Sequence, residues 1–328
     1  MQNYVDVFKK YVYPIRFHIM VLLILLLFTI VLELAMPQLI GYYLDNNIEL
    51  GATKGIILLP LFYILMVLMR SILNTLNVYM SERVGWKAAN HLRDDLFRHV
   101  IKLDLDFHKT LSVGEIIERV DGDVNVIATL LSSFIVGFLG NGLIIIGILV
   151  FFLAFNTILG IVITVIILFI FFIFKLSHNK LKNLIAKARH LETGIYGFIE
   201  ERVTGCVDIR GIGTEKYVAH DLSIRLEEYR KKAARSVFWN NMPTAGFFSL
   251  LNIGDALALG LGVYLFYRGE MSIGMIYTLV SFVSLLSEPV WQVRVQITNY
   301  QRITVSLTRI LELFRMKSHI ITGTKDLS

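Results

Sequence analysis

Apolar residues gather into six long runs: Arg16 to Ile40, Gly55 to Met80, Leu130 to Phe155, Ile158 to Leu176, Pro243 to Tyr267 and Ile273 to Val293. Each is long enough to cross a hydrocarbon core about 30 Å thick as a helix, which takes about 20 residues. A helix is expected because the bilayer interior holds no water, so every backbone N–H and C=O needs a partner within its own segment. The pattern predicts an all-α membrane protein of six long helices.

The polar segments between these runs are very unequal. Three are short, whereas two extend over residues 81–129 and 177–242. The long ones contain almost no proline and keep helical periodicity, as in Trp86, Leu92, Leu96, Val100 and Leu103. A structureless loop of that size is out of keeping with a folded domain. Spans 2 to 5 are therefore predicted to continue as helices beyond the bilayer, each pair joined by a tight turn. Some 20 extra residues per helix carry these turns about 30 Å past the membrane. Ahead of the first span, Val5, Phe8 and Val12 recur at helical spacing and Pro14 ends the pattern, so residues 1–15 read as an interfacial helix. Residues 16–315 then form the membrane domain.

Composition fits this picture, with 55% of residues hydrophobic and only 18% charged. The net charge of +6 points to topology and not to nucleic acid, because the cations sit in particular connections. Arg83, Lys87, Arg93, Arg98, Lys102, Lys109 and Arg119 fill the first long connection; the second runs from Lys175 through Arg210 to Arg230, Lys231, Lys232 and Arg235. The short connections hold only Lys54 and Arg268. The positive-inside rule then places both termini and both long connections in the cytoplasm, in a cell (inner) membrane protein. Cys206 is the single cysteine, and the eight histidines show no metal-ligand spacing, so neither a disulfide nor a metal site is expected.

Charged and polar residues within spans are costly and call for a polar cavity or for partners. In span 6, Ser281, Ser284, Glu288, Trp291, Gln292, Val295, Gln296 and Asn299 trace one face at spacings of three or four. This stripe is expected to wall a translocation cavity, with interhelical packing as the competing role. Glu33 in span 1 and Asp255 in span 5 either face that cavity or pair with Arg70 or Arg294. The candidate solute-binding set is thus Glu288, Trp291, Gln292, Gln296, Glu33 and Asp255. Gly254, Ala258 and Gly262 form a small-residue ridge suited to close helix approach, and Pro37 and Pro289 are expected to bend their helices.

Turn signals in the two long connections gather at Asp106 to Glu115 and at Gly205 to Glu215. Here the chain resembles the ABC exporters. Phe107 followed by Gly114-Glu115-Ile116-Ile117-Glu118-Arg119-Val120 and Asp123-Val124 is similar to their first cytoplasmic loop. Glu200-Glu201, Gly205, Ile209-Arg210 and Glu215 are similar to the second, and Arg309-Ile310-Leu311-Glu312 to the helix leaving span 6. The resemblance covers essentially the whole chain. It implies a six-helix membrane domain that dimerises with a second half, homologous or identical, and works with an ATP-binding-cassette domain that binds ATP and Mg. It further implies coupling helices that dock on that domain, formed by Phe107, His108, Lys109, Thr110 and Leu111 and by Cys206, Val207, Asp208, Ile209, Arg210 and Gly211.

The chain itself carries no G-x-x-x-x-G-K-[ST] phosphate cradle, so no catalytic residue and no cofactor are assigned to it. Leu111-Ser112-Val113-Gly114-Glu115 superficially resembles the LSGGQ signature of the ATPase domain but stands among membrane spans, and is read as a coincidence. Residues 316–328 read as the start of a linker toward an ATPase domain, in a truncated half-transporter or a subunit whose ATPase is separately encoded. The expected function is ATP-driven export of an amphipathic drug, lipid or peptide by alternating access, the acidic residues leaning toward cationic amphiphiles. The alternatives are an ATP-independent secondary transporter or channel, and a membrane scaffold without transport.

Overall fold

The computed structural model describes residues 10–11, 13–50 and 53–316. Among these every element is helical. The interfacial helix expected over residues 1–15 and the linker over 316–328 lie outside the described residues, save Lys10, Tyr11, the 3-10 turn Tyr13–Ile15 and Met316. In chain order the helices are α1 (Arg16–Leu50), α2 (Thr53–Ile101), α3 (Leu105–Thr110), α4 (Val113–Phe155), α5 (Thr157–Thr204), α6 (Cys206–Ile212), α7 (Glu215–Tyr267), α8 (Ile273–Leu285) and α9 (Ser287–Arg315). α2, α5 and α7 run without a break through both an apolar run and a polar extension, as the periodicity predicts. The expected tight turns are themselves the short helices α3 and α6.

The chain divides into two compact units, residues 1–160 with 258–328, and residues 161–257. In the first, α1 packs on α2 and α8, α2 on α4, and α4 on α9. α1 and α8 meet at Gly41 and Gly274, where a Cβ on either residue would run into the other's backbone carbonyl. Asp45 of α1 locks this crossing: its carboxylate accepts the Gly274 N–H at 2.7 Å and the Ser272 hydroxyl at 2.6 Å. Ser272 in turn caps α8 by accepting the Met275 N–H at 3.2 Å. A carboxylate and a serine are what a helix N-terminus favours, since its first N–H groups lack partners and carry partial positive charge.

The polar extensions of this unit enclose their own core. Val84, Ala88, Leu92 and Leu96 of α2 pack with Val124 and Ile127 of α4, with Ile310, Leu311 and Leu313 of α9, and with Tyr11 and Ile15. The Tyr11 hydroxyl donates to Asp95 at 2.8 Å, and the same carboxylate binds Lys10 at 2.6 Å. Burial, then the hydrogen bond and charge of Asp95, push the Tyr11 hydroxyl well above the usual phenol range. Arg93 bridges to Asp121 at 2.9 Å and to Asn125 at 2.9 Å, tying α2 to α4.

The second unit is a hairpin of α5 and α7 joined by α6. Phe174 meets Phe247, and further along α5 Phe198 lies under Arg225, so the two helices pair antiparallel. α6 ends at Gly213, whose φ of 71° lets the N–H groups of Gly213 and Thr214 return to the carbonyls of Arg210 and Ile209. Glycine adopts that left-handed conformation without the steric penalty a Cβ brings.

Candidate functional site

Four helices of the first unit leave a polar cavity of about 370 Å³ between them. α1 contributes Thr29 and Glu33, α2 Arg70, Asn74 and Asn77, α4 Gly137, Gly140 and Asn141, and α9 Glu288, Pro289 and Gln292. Leu26, Ile30, Val136 and Ile144 complete the lining. Glu33 and Arg70 form an ion pair across α1 and α2. Glu33 thus pairs with Arg70 and also lines this space. Next to it the Asn77 amide donates to the Thr29 hydroxyl at 2.8 Å, and that hydroxyl donates to the Leu25 carbonyl at 2.9 Å.

Two backbone irregularities shape the cavity. The stretch Phe134–Gly140 of α4 is a π-helical turn, and the Asn141 amide donates to the Val136 and Gly137 carbonyls it widens, at 3.4 and 2.8 Å. Such turns are rare, occur mostly as single-turn bulges inside α-helices, and are frequent at functional sites. A Cβ at Gly137 would meet the Gln296 amide, so the two residues pack closely there. In the sixth span, Pro289 lacks the N–H that would reach the Leu285 carbonyl, and the helix breaks at Leu286. The bend expected from the sequence is thus an interruption, and Glu288 stands in the first turn after it, accepting a hydrogen bond from Gln292.

Of the sequence candidates, Glu33, Glu288 and Gln292 line this cavity. Gln296 lies over Gly137, behind the wall. Trp291 is half-buried with the Arg294 guanidinium 4.6 Å from its ring centre, and is not one of the lining residues. Asp255 belongs to the second unit, half-buried on α7. The side chain of Asn299 lies outside the described residues. Sequence reasoning missed Thr29, Asn74, Asn77 and Asn141, although Arg70, Asn74, Asn77 and Ser81 recur at spacings of four, three and four and form a polar stripe like that of span 6.

The connecting helices, α3 in the first unit and α6 in the second, are two further candidate regions, each taken by itself. Leu105 is 75% exposed, Val207 81% and Ile212 76%, high values for apolar side chains next to polar extensions. Monomeric surfaces seldom concentrate such side chains without a partner to cover them. α3 begins at Leu105, two residues before the expected Phe107, and ends before Leu111; the side chains of His108 and Thr110 lie outside the described residues. Lys109, Cys206, Val207, Asp208, Arg210 and Gly211 are all exposed, with Phe107 and Ile209 half-buried. The Leu111–Glu115 sequence has a local structural role: the Ser112 hydroxyl accepts the Glu115 N–H at 3.2 Å and caps α4.

Among the described residues six helices are long and apolar enough to cross a membrane, in agreement with the six runs read from the sequence. The chain is similar to YgaD of Bacillus subtilis (strain 168), named as a multidrug export ATP-binding/permease protein, with 22% identity over 93% of this chain and 54% of the relative. It is also similar to an identically described protein of Staphylococcus aureus (strain NCTC 8325 / PS 47), with 23% identity over 86% of this chain and 50% of that one. The chain therefore spans about half the length of the curated relatives it matches. The family model for the ABC transporter transmembrane region matches residues 19–290, so this integral membrane protein belongs to the ABC transporter transmembrane region family.

Proposed function

We propose that this chain is the membrane-spanning part of an ATP-driven exporter that carries an amphipathic solute through the cavity by alternating access. The observation that carries the reading is the cavity itself: charged and amide side chains from four helices surround an open space at the depth of the apolar runs. Polar groups in a span need a cavity or tight partners, and here much of the wall faces open volume. Glu33, Glu288 and Gln292 would contact the solute, with Arg70, Asn77 and Asn141 beside them; Trp291, Gln296 and Asp255 would act from outside that lining.

ATP and Mg would bind an ATP-binding-cassette domain, as the relatives' names combine ATP-binding with permease. That domain would cover the exposed apolar side chains of α3 and α6, docking against Phe107 to Leu111 and Cys206 to Gly211. A second transmembrane half would complete the pathway. Both termini and both polar extensions would be cytoplasmic, given the charge asymmetry.

The test is transport by the full protein containing this chain and its ATPase part, in inside-out vesicles. ATP-dependent accumulation of a fluorescent amphiphile is expected, with Val207→Asp uncoupling ATP hydrolysis from accumulation. Accumulation that needs no ATP, or none with any of a panel of cationic, neutral and anionic amphiphiles, would contradict the proposal. Topology is checked separately: single cysteines at Lys109 and Arg210 in a Cys206→Ala background should resist an impermeant maleimide in intact cells, while one at Asn46 should react.

A further inference from the structure

We propose that the cavity of the first unit selects solutes carrying a hydrogen-bond-donating ammonium group, in preference to quaternary ammonium, neutral or anionic amphiphiles. The inference rests on reading this cavity as the solute site. It comes from following each donor in the wall to its acceptor.

The Asn141 amide nitrogen donates to two backbone carbonyls, Val136 and Gly137. Carbonyls only accept, so the orientation of this amide is fixed and its oxygen is turned away from the backbone. The Gln292 amide nitrogen donates to the Glu288 carboxylate, which fixes that amide in the same way. The Thr29 hydroxyl has its proton on the Leu25 carbonyl, so toward Asn77 it can only accept. Asn77 must then present its nitrogen to Thr29, and its Oδ1 is left without a partner in a residue only 2% exposed. Three amides from three helices thus have their nitrogens engaged within the wall, and the Asn77 oxygen is left without a partner among the described residues.

Charge points the same way. Arg70 keeps further N–H groups, but Glu33 balances its charge. Glu288 adds a second carboxylate, and no cation lies against it among the described ion pairs. Among the lining residues two carboxyl side chains, Glu33 and Glu288, stand against the single guanidinium of Arg70. An anionic solute would meet Glu288. A trimethylammonium would match the charge but offer no proton to the amide oxygens, whereas a primary ammonium brings three N–H donors along with the charge.

The test uses four probes of one chain length, dodecylammonium, dodecyltrimethylammonium, dodecanol and dodecanoate, each with a terminal diazirine, on the full chain in lipid nanodiscs at neutral pH. Competition gives relative affinity, and photolabelling followed by peptide mapping gives location. The expected result is labelling of the lining segments of α1, α2, α4 and α9, with dodecylammonium binding about tenfold more tightly than dodecyltrimethylammonium and dodecanoate weakest. Glu288→Gln should reduce the preference for dodecylammonium over dodecanol by about tenfold. Equal affinity of the two cations, with labels still in the cavity, would overturn the donor inference and leave the solute site standing. Labels outside the lining for all four probes would overturn the solute site and this inference with it. The probe series on the unaltered chain decides the matter whether or not the variant folds.

Discussion

Two regions of the first unit use the same kinds of residue to opposite ends. At the base of the extensions, Lys10, Tyr11, Asp95, Arg93 and Asp121 surround a closely packed apolar core, and their charges and hydrogen bonds join neighbouring elements. At the depth of the apolar runs, Glu33, Arg70, Asn77, Asn141 and Glu288 border open volume instead of a core. Polar groups at the base join helices around a filled core, while those of the cavity, although Glu33–Arg70 and Asn77–Thr29 also join α1 to α2, border an open space. The difference lies in what stands behind each group. Leu92 and Leu96 fill the base, whereas a π-helical turn with Gly137 and the helix break before Pro289 border the cavity.

The comparison breaks most sharply by emptying the base. Leu92→Ala removes a side chain 1% exposed from the packed core. It should cost about 2–5 kcal/mol, the usual range for such truncations, and lower the unfolding temperature in detergent measured by tryptophan fluorescence. A variant as stable as the parent would mean that the base is not a core.

The Glu33–Arg70 pair sits between the two regimes, with the carboxylate largely shielded and the guanidinium 41% exposed. Arg70→Met leaves that carboxylate unpaired and should cost about 2 kcal/mol, between the values for exposed and fully buried pairs. Adding Glu33→Gln should restore much of the loss. A double-variant cycle by chemical denaturation measures the coupling, and additive effects would show that the pair contributes nothing as a unit.

Tyr11→Phe is the smallest of these changes. It removes one hydrogen bond to Asp95, worth about 1 kcal/mol, while Lys10 stays on that carboxylate. The folded state raises the Tyr11 pKa above its ordinary value of 10.0, so the stabilisation is complete below that pH. It is lost as pH rises above it, because the unfolded chain releases the proton first. The parent should therefore lose stability more steeply than Tyr11→Phe above about pH 10. Parallel alkaline limbs in the two proteins would rule out the linkage.

How far the sequence reached differs between the same two regions. Six spans and four helical extensions were legible because hydropathy and the absence of proline act over many residues at once. Half of the cavity was legible too, since Glu288 and Gln292 stand out on an apolar helix. The stripe Arg70, Asn74, Asn77 had the same spacing but not the same notice, and only packing decides that it faces α1 and α9 across a space. Trp291 shows the converse: it shares the span 6 stripe, yet its ring lies against Arg294 and outside the lining. The π-helical turn at Phe134–Gly140 had no local signal beyond its glycines. It is held by Asn141, whose role emerges only once the helix has formed.

The most direct test of the contrast is to measure unfolding temperature and dodecylammonium binding on the same samples of Glu288→Gln and Leu92→Ala. Glu288→Gln should weaken binding about tenfold with a stability change below about 0.5 kcal/mol, as for a group that borders water. Leu92→Ala should lower the unfolding temperature while its folded fraction binds as the parent does. A Glu288→Gln protein that loses stability yet binds normally in its folded fraction would instead assign Glu288 to the packing and not to the cavity.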